Sequence, residues 1–105
     1  MSTATPNALE QLRARLVPGV QIVCVANTYI PARAGHTVTL TRVGRSQAVG
    51  QWSMNDGQVY VTLPVRVGDV TWVDKDTARW PLNNPAKPLK RLEGHTVTYR
   101  IQNPS

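Results

Sequence analysis

From Gly19 onward the chain is a succession of short runs rich in valine, threonine and isoleucine, each ended by glycine, asparagine or proline. Branching at Cβ restricts side-chain rotation in a helix but suits a pleated surface, and breakers this closely spaced leave little room for a helix of ordinary length. The pattern predicts a mainly β, antiparallel domain. With 105 residues the chain is long enough for one such domain with its own core, so we read residues 1–105 as a single unit.

The segment before Gly19 has a different period. Leu9, Leu12 and Leu16 fall on one helical face, with Glu10, Arg13 and Arg15 pointing elsewhere. Thr5-Pro6, or Asn7 with Glu10 three residues on, supplies a helix start, and Pro18-Gly19 supplies a stop. A short N-terminal helix packed on the domain through its leucines is therefore expected within residues 1–17.

The strands follow in order. Residues 21–26 form the first, residues 27–35 a long loop, and residues 37–41 a half-buried strand with Val38 and Leu40 inward, broken at residues 44–47. Asp56-Gly57 suits a two-residue type I′ hairpin turn, because both residue types tolerate positive φ. That turn would pair Asn55 with Gln58, Met54 with Val59 and Trp52 with Val61, placing Trp52, Met54, Val59, Val61 and Leu63 on one core face. Leu63-Pro64 ends this hairpin, and residues 69–73 supply a fifth strand after a short bend.

A proline-glycine start, a first strand, a long loop, three strands on tight turns and a Leu-Pro bend before a last strand make an order that resembles SH3-like barrels. Pro18-Gly19-Val20-Gln21-Ile22, Gly35-His36-Thr37-Val38-Thr39-Leu40 and Val61-Thr62-Leu63-Pro64 are similar to pieces of the KOW and Tudor type of small barrel. The resemblance implies an SH3-like antiparallel barrel over residues 18–73. Recognition of proline-rich peptides is not implied, since residues 27–36 contain no acid and a single aromatic, Tyr29. The overall texture also resembles short bacteriophage proteins.

Residues 74–105 exceed such a barrel and are expected as a C-terminal β extension. Residues 77–80 can pair back on residues 70–73 across Asp74-Lys75-Asp76, and residues 96–101 read as a final strand. Between them Pro81, Pro85 and Pro88 preclude regular pairing, so this basic stretch is expected as a surface crossover. Gly35-His36-Thr37-Val38-Thr39 recurs as Gly94-His95-Thr96-Val97-Thr98. With diverging flanks, the echo is read as two strands that each begin after a glycine.

Little in the chain carries catalytic chemistry. Cys24 is the one cysteine, set in an apolar run, and reads as a buried inert thiol in a reducing cytoplasm. The N-terminus lacks a signal-peptide pattern and no window approaches a membrane span, so neither secretion nor membrane insertion is expected. His36 and His95 lack metal-ligand spacing, Asp74-Lys75-Asp76 reads as a hairpin tip, and neither a nucleophile-base arrangement nor a phosphate-cradling glycine loop is present. The Pro85-to-Lys90 string matches a polyproline ligand pattern but is read as part of the crossover. No enzyme activity, metal or cofactor is expected.

Charge points to partners. Twelve Lys and Arg against six Asp and Glu leave a formal +6, which biases encounters toward polyanions. Tyr29 and Arg33 in the first loop with Arg42 and Arg45 around the second turn are expected at one rim, and Lys87, Lys90 and Arg91 of the crossover are further candidate contacts. The expectation is a non-enzymatic module that contacts nucleic acid or a nucleotide-like anion there. Two rivals stay open: a protein-interaction factor, such as a phage-type inhibitor of a host enzyme, and a homo-oligomeric structural component.

Overall fold

The computed structural model describes residues 7–53, 57–83 and 88–102. Among these residues one α-helix, α1 (Ala8–Arg15), precedes seven strands: β1 (Gln21–Asn27), β2 (Thr37–Val43), β3 (Gln47–Trp52), β4 (Gln58–Thr62), β5 (Thr71–Trp72), β6 (Thr77–Pro81) and β7 (Thr96–Gln102). The domain is thus mainly β, as its patterning predicts.

Asn7 caps α1, its Oδ1 accepting from the Glu10 N–H at 2.9 Å and so satisfying one of the amides a helix start leaves unpaired. Thr5-Pro6, the other expected cap, lies outside the described residues. Leu12 and Leu16 are buried and Leu9 partly so, which makes the leucine stripe part of the core. Polar contacts pin the helix from both sides. Arg13 donates to the carbonyls of Arg45 (2.6 Å) and Pro64 (3.3 Å), Arg15 pairs with Asp76 at 2.6 Å, and the Trp72 indole donates to the Ala8 carbonyl at 3.2 Å. α1 therefore sits at the end of the sheet where β2 passes into β3 and where β4 exits.

The strands form one sheet in the order β4-β3-β2-β1-β7-β6-β5, with every neighbouring pair antiparallel. The sheet is not closed into a barrel: β4 and β5 are its edges. It curls nonetheless, since the indole of Trp80 on β6 reaches across the gap and donates to the Thr62 carbonyl on β4 at 2.8 Å. Trp80 is 1 % exposed and stacks on Tyr99 in a core that also holds Ile22, Leu40, Val61 and Val97.

The expected division into a barrel over 18–73 and an added extension over 74–105 does not match this sheet. β7 lies between β1 and β6 at the centre, pairing with β1 from Gln21↔Gln102 to Asn27↔Val97 around a bulge at Val25. A strand has two hydrogen-bonding edges. The sequence neighbour β2 supplies one partner for β1, and only a strand from the far end of the chain supplies the other. The β5–β6 hairpin does form across Asp74-Lys75-Asp76, with Thr71 opposite Arg79. There the Asp74 carboxylate accepts from the Asp76 N–H at 2.9 Å, and this bond holds the Asp74 carboxyl below its usual range.

The expected hairpin register also needs correction. Trp52 donates to the Gly57 carbonyl at 2.8 Å and Gly50 sits opposite Val59, so β3 and β4 pair four residues away from a two-residue Asp56-Gly57 turn. Asp56 itself lies outside the described residues. The other side of β3 is closely fitted. Trp52 pairs with Val38, and Gly50 gives Val38 the room it needs: a Cβ at Gly50 would lie 2.4 Å from Val38 Cγ1. Because the slip is even, the faces are kept, and Val59, Val61 and Leu63 are buried. Trp52 is half-buried instead of core, with Arg33 over its ring.

Candidate functional site

The Gly-His-Thr-Val-Thr echo turns out to be a structural one. In each copy a single 3-10 turn (Pro31–Arg33 or Lys90–Leu92) leads to a glycine at positive φ (+91° at Gly35, +80° at Gly94), then a histidine, then a strand. Only glycine takes that backbone conformation without steric cost. The two strands so begun, β2 and β7, flank β1 on opposite sides. Each histidine meets an aromatic ring edge-on, His36 with Trp52 at 5.8 Å between centroids and His95 with Tyr29 at 5.2 Å.

Between these two turns lies a pocket of about 210 Å³. The first turn contributes Ile30 and Arg33, the second Arg91 and Leu92, and the loop before the first adds Tyr29. Tyr60, Val61 and Thr62 of edge strand β4 form a further wall, and Tyr99, Val97 and Asn27 form the floor. Among the described residues that line it, none is acidic. The pocket therefore combines two guanidinium groups with three tyrosines in the open seam of the sheet, toward the end opposite α1.

Several contacts hold this wall in place. Asn27 is 5 % exposed, and its Oδ1 accepts from the backbone N–H of Tyr29 (3.0 Å) and of Ile30 (2.8 Å), which sets the loop as it leaves β1. Thr28 Oγ1 accepts from Thr96 N–H at 2.9 Å and contacts His95 Nδ1 at 3.0 Å, tying the Tyr29 loop to the second turn. The Arg33 guanidinium lies over Trp52, 5.1 Å from the ring centroid. A cation held by a ring face keeps its in-plane N–H donors for other partners. Among the described residues neither Arg33 nor Arg91 has a carboxylate within ion-pair distance.

Burial pushes the Tyr99 hydroxyl up to about 12, partly offset by the Arg33 charge. The Cys24 thiol is likewise raised by burial, and Arg33 and a hydrogen bond with the Ala26 backbone offset the rise in part. Both groups are thus neutral near pH 7. Neither therefore places an anion beside Arg33.

Of the residues singled out in the sequence, the structure brings together Tyr29, Arg33 and Arg91. Arg42 and Arg45 stand elsewhere: β2 runs the seven residues from Thr37 to Val43 away from the Arg33 turn, about 20 Å at ~3.3 Å per residue. Both are exposed, and the Arg45 carbonyl is engaged by α1. Lys90 shares the second turn but does not line the pocket, and Lys87 lies outside the described residues. The first loop and second turn occupy opposite ends because consecutive antiparallel strands reverse direction, so loops on either side of one strand cannot share a rim.

Sequence reasoning missed Tyr60, Asn27 and Tyr99. The signal for the first was present, since Tyr60 alternates with the buried Val59 and Val61 and must face away from the core. For the others it lay in the echo, whose two copies frame the pocket.

A larger concavity, about 790 Å³, opens between α1 and the β5–β6 turn and is lined by Ala14, Arg15, Trp72 and the acids Glu10 and Asp74. Its arginine is already paired with Asp76, and its indole N–H with α1. Among the described residues no three of His, Cys, Asp and Glu are grouped so as to hold a metal ion, and no helix is long and apolar enough to cross a membrane.

Fold and pocket together define a small, all-antiparallel β domain with an arginine-flanked aromatic cleft in an open seam. Comparison of the chain with protein-family models, with curated proteins and with solved structures finds no match.

Proposed function

We propose that this domain is a non-enzymatic binding module that takes nucleic acid, or a nucleotide-like anion, in the seam pocket. One observation carries the reading: two arginines that have no carboxylate partner among the described residues share a cleft with Tyr29 and Tyr60, over the buried Tyr99, and none of its described lining residues is acidic. Guanidinium forks suit phosphate oxygens, and tyrosine faces suit the planar groups that accompany phosphate in a nucleotide. The order of elements in residues 18–73, which resembles that of SH3-like small barrels of the KOW and Tudor type, favours the same reading even though the sheet here stays open.

The test is fluorescence anisotropy with a labelled oligonucleotide across a salt series. The Arg33→Ala/Arg91→Ala double variant is expected to weaken binding and to flatten the dependence of log K on log salt by about one contact's worth per arginine. Arg42→Ala/Arg45→Ala is expected to have the smaller effect. Affinity that survives the first pair but falls with the second would move the ligand to the α1 end and sink the pocket assignment.

A second reading, a protein-interaction factor such as a phage-type inhibitor of a host enzyme, draws on edge strand β4, where an extended partner segment could pair. Recovery of one stoichiometric protein partner after nuclease treatment would favour it over the first.

A further inference from the structure

We infer that the pocket accepts one unpaired base of a single strand, and that the main chain of Tyr60 reads the edge of that base. The inference rests on the anion-binding reading above and adds to it the form of the ligand.

Its basis is the direction of the β4 backbone. Residues of an antiparallel pair alternate between those that exchange both hydrogen bonds with the partner and those that turn both groups away. Trp52 N–H donates to the Gly57 carbonyl and Leu63 N–H to the Ser46 carbonyl, at 2.8 and 2.9 Å, and both pairs fit the observed register. Gly57, Val59, Val61 and Leu63 are therefore the residues bonded to β3. Gln58, Tyr60 and Thr62 direct their N–H and C=O groups out of the sheet edge. Thr62 shows where that edge points, because its carbonyl receives the Trp80 indole N–H across the seam.

Tyr60 and Thr62 both line the pocket. Tyr60 thus brings a donor and an acceptor side by side to its wall, an arrangement that matches the adjacent acceptor and donor on the edge of a nucleobase. The size agrees. A cavity of about 150 Å³ holds a benzene ring, whereas drug-sized ligands fill roughly 300–1,000 Å³. At about 210 Å³ the pocket suits one ring system. Tyr29, 40 % exposed, offers a stacking face, and Arg33 and Arg91 of the same lining supply guanidinium groups for the phosphates that flank the base. A duplex holds its bases stacked with their pairing edges occupied and cannot present one to such a slot without unpairing it.

Three labelled probes of equal length test this by anisotropy: a single strand, its duplex, and an abasic strand that keeps every phosphate. The single strand is expected to bind about tenfold or more tighter than either of the others, within the range that base stacking on an aromatic ring supplies. Tyr60→Pro removes one outward N–H from an edge strand, a position where proline is tolerated, and is expected to bind the single strand several-fold more weakly than Tyr60→Ala. Thermal melting establishes that both variants are folded.

If the abasic strand or the duplex binds as tightly as the single strand, with Arg33 and Arg91 still required, the base slot is overturned and the anion-binding reading stands. Binding of none of the probes in a manner that depends on these arginines overturns both. Equal affinities of folded Tyr60→Pro and Tyr60→Ala overturn the main-chain contact.

Discussion

The indole nitrogen of Trp80 on β6 donates to the Thr62 carbonyl on edge strand β4 at 2.8 Å, across the open seam of the sheet. Trp80→Phe keeps most of the packing and deletes this donor, leaving the Thr62 oxygen to find water. Urea unfolding is expected to show a loss of about 1 kcal/mol, the usual net worth of such a bond. Trp80→Ala, which also empties the core beneath Tyr99, is expected to cost about 3–5 kcal/mol. A phenylalanine variant as unstable as the alanine one would mean that the ring's shape, and not the bond, holds the seam.

Gly50 and Val38 share one space. Adding a methyl group at Gly50 places it 2.4 Å from Val38 Cγ1 and 3.0 Å from the Thr39 carbonyl oxygen, and a β-branched, buried valine has little freedom to move aside. Gly50→Ala is therefore expected to destabilise the domain by about 1–3 kcal/mol. In a double-mutant cycle with Val38→Ala the two effects should fall short of additive, since the second change removes the clashing methyl. Full additivity would show that the strain resides in the Thr39 backbone contact.

Alkaline pH provides a third check. An exposed tyrosine in the unfolded chain loses its proton near pH 10, whereas Tyr99 in the folded domain keeps its proton to about 12. Between those values only the unfolded state releases the proton, so stability falls as pH rises through this window, by roughly 2–3 kcal/mol from this group. Cys24, also raised by burial, acts in the same direction from a lower starting pH. Denaturant midpoints measured from pH 8 to 12 are expected to decline less steeply in Tyr99→Phe than in the parent. Parallel declines would place the titrating group elsewhere.

Asn27 separates loop order from charge. Asn27→Ala leaves the Tyr29 and Ile30 amides without their shared acceptor and is expected to cost about 1–3 kcal/mol. Asn27→Asp keeps the acceptor but puts a carboxylate into the pocket lining. The aspartate variant should hold its fold better than the alanine variant yet bind an anionic ligand more weakly than the parent. Unimpaired binding by a folded Asn27→Asp would argue that the anion lies outside the pocket.

Much of the domain was legible in the sequence because it depends on neighbours. Periodicity and breakers are local properties, so α1 with its Asn7 cap, the mainly β class and the β5–β6 hairpin across Asp74-Lys75-Asp76 could all be read directly. So could Tyr29, Arg33 and Arg91 as candidates, by residue type. Tertiary structure decided the rest. The partner on the second edge of β1 is β7, a choice between strands far apart in the chain. The β3–β4 register, with Gly50 opposite Val59, lies four residues from the one that a two-residue Asp56-Gly57 turn sets. Arg42 and Arg45 part from Arg33 because β2 carries the chain to the other end of the sheet. Tyr60 and Tyr99 join the pocket only because the sheet curls until an edge strand faces the two repeated turns. Side-chain type and spacing are written along one dimension, whereas which strand edges meet, and what the gap between them can hold, depends on how the whole sheet packs in three.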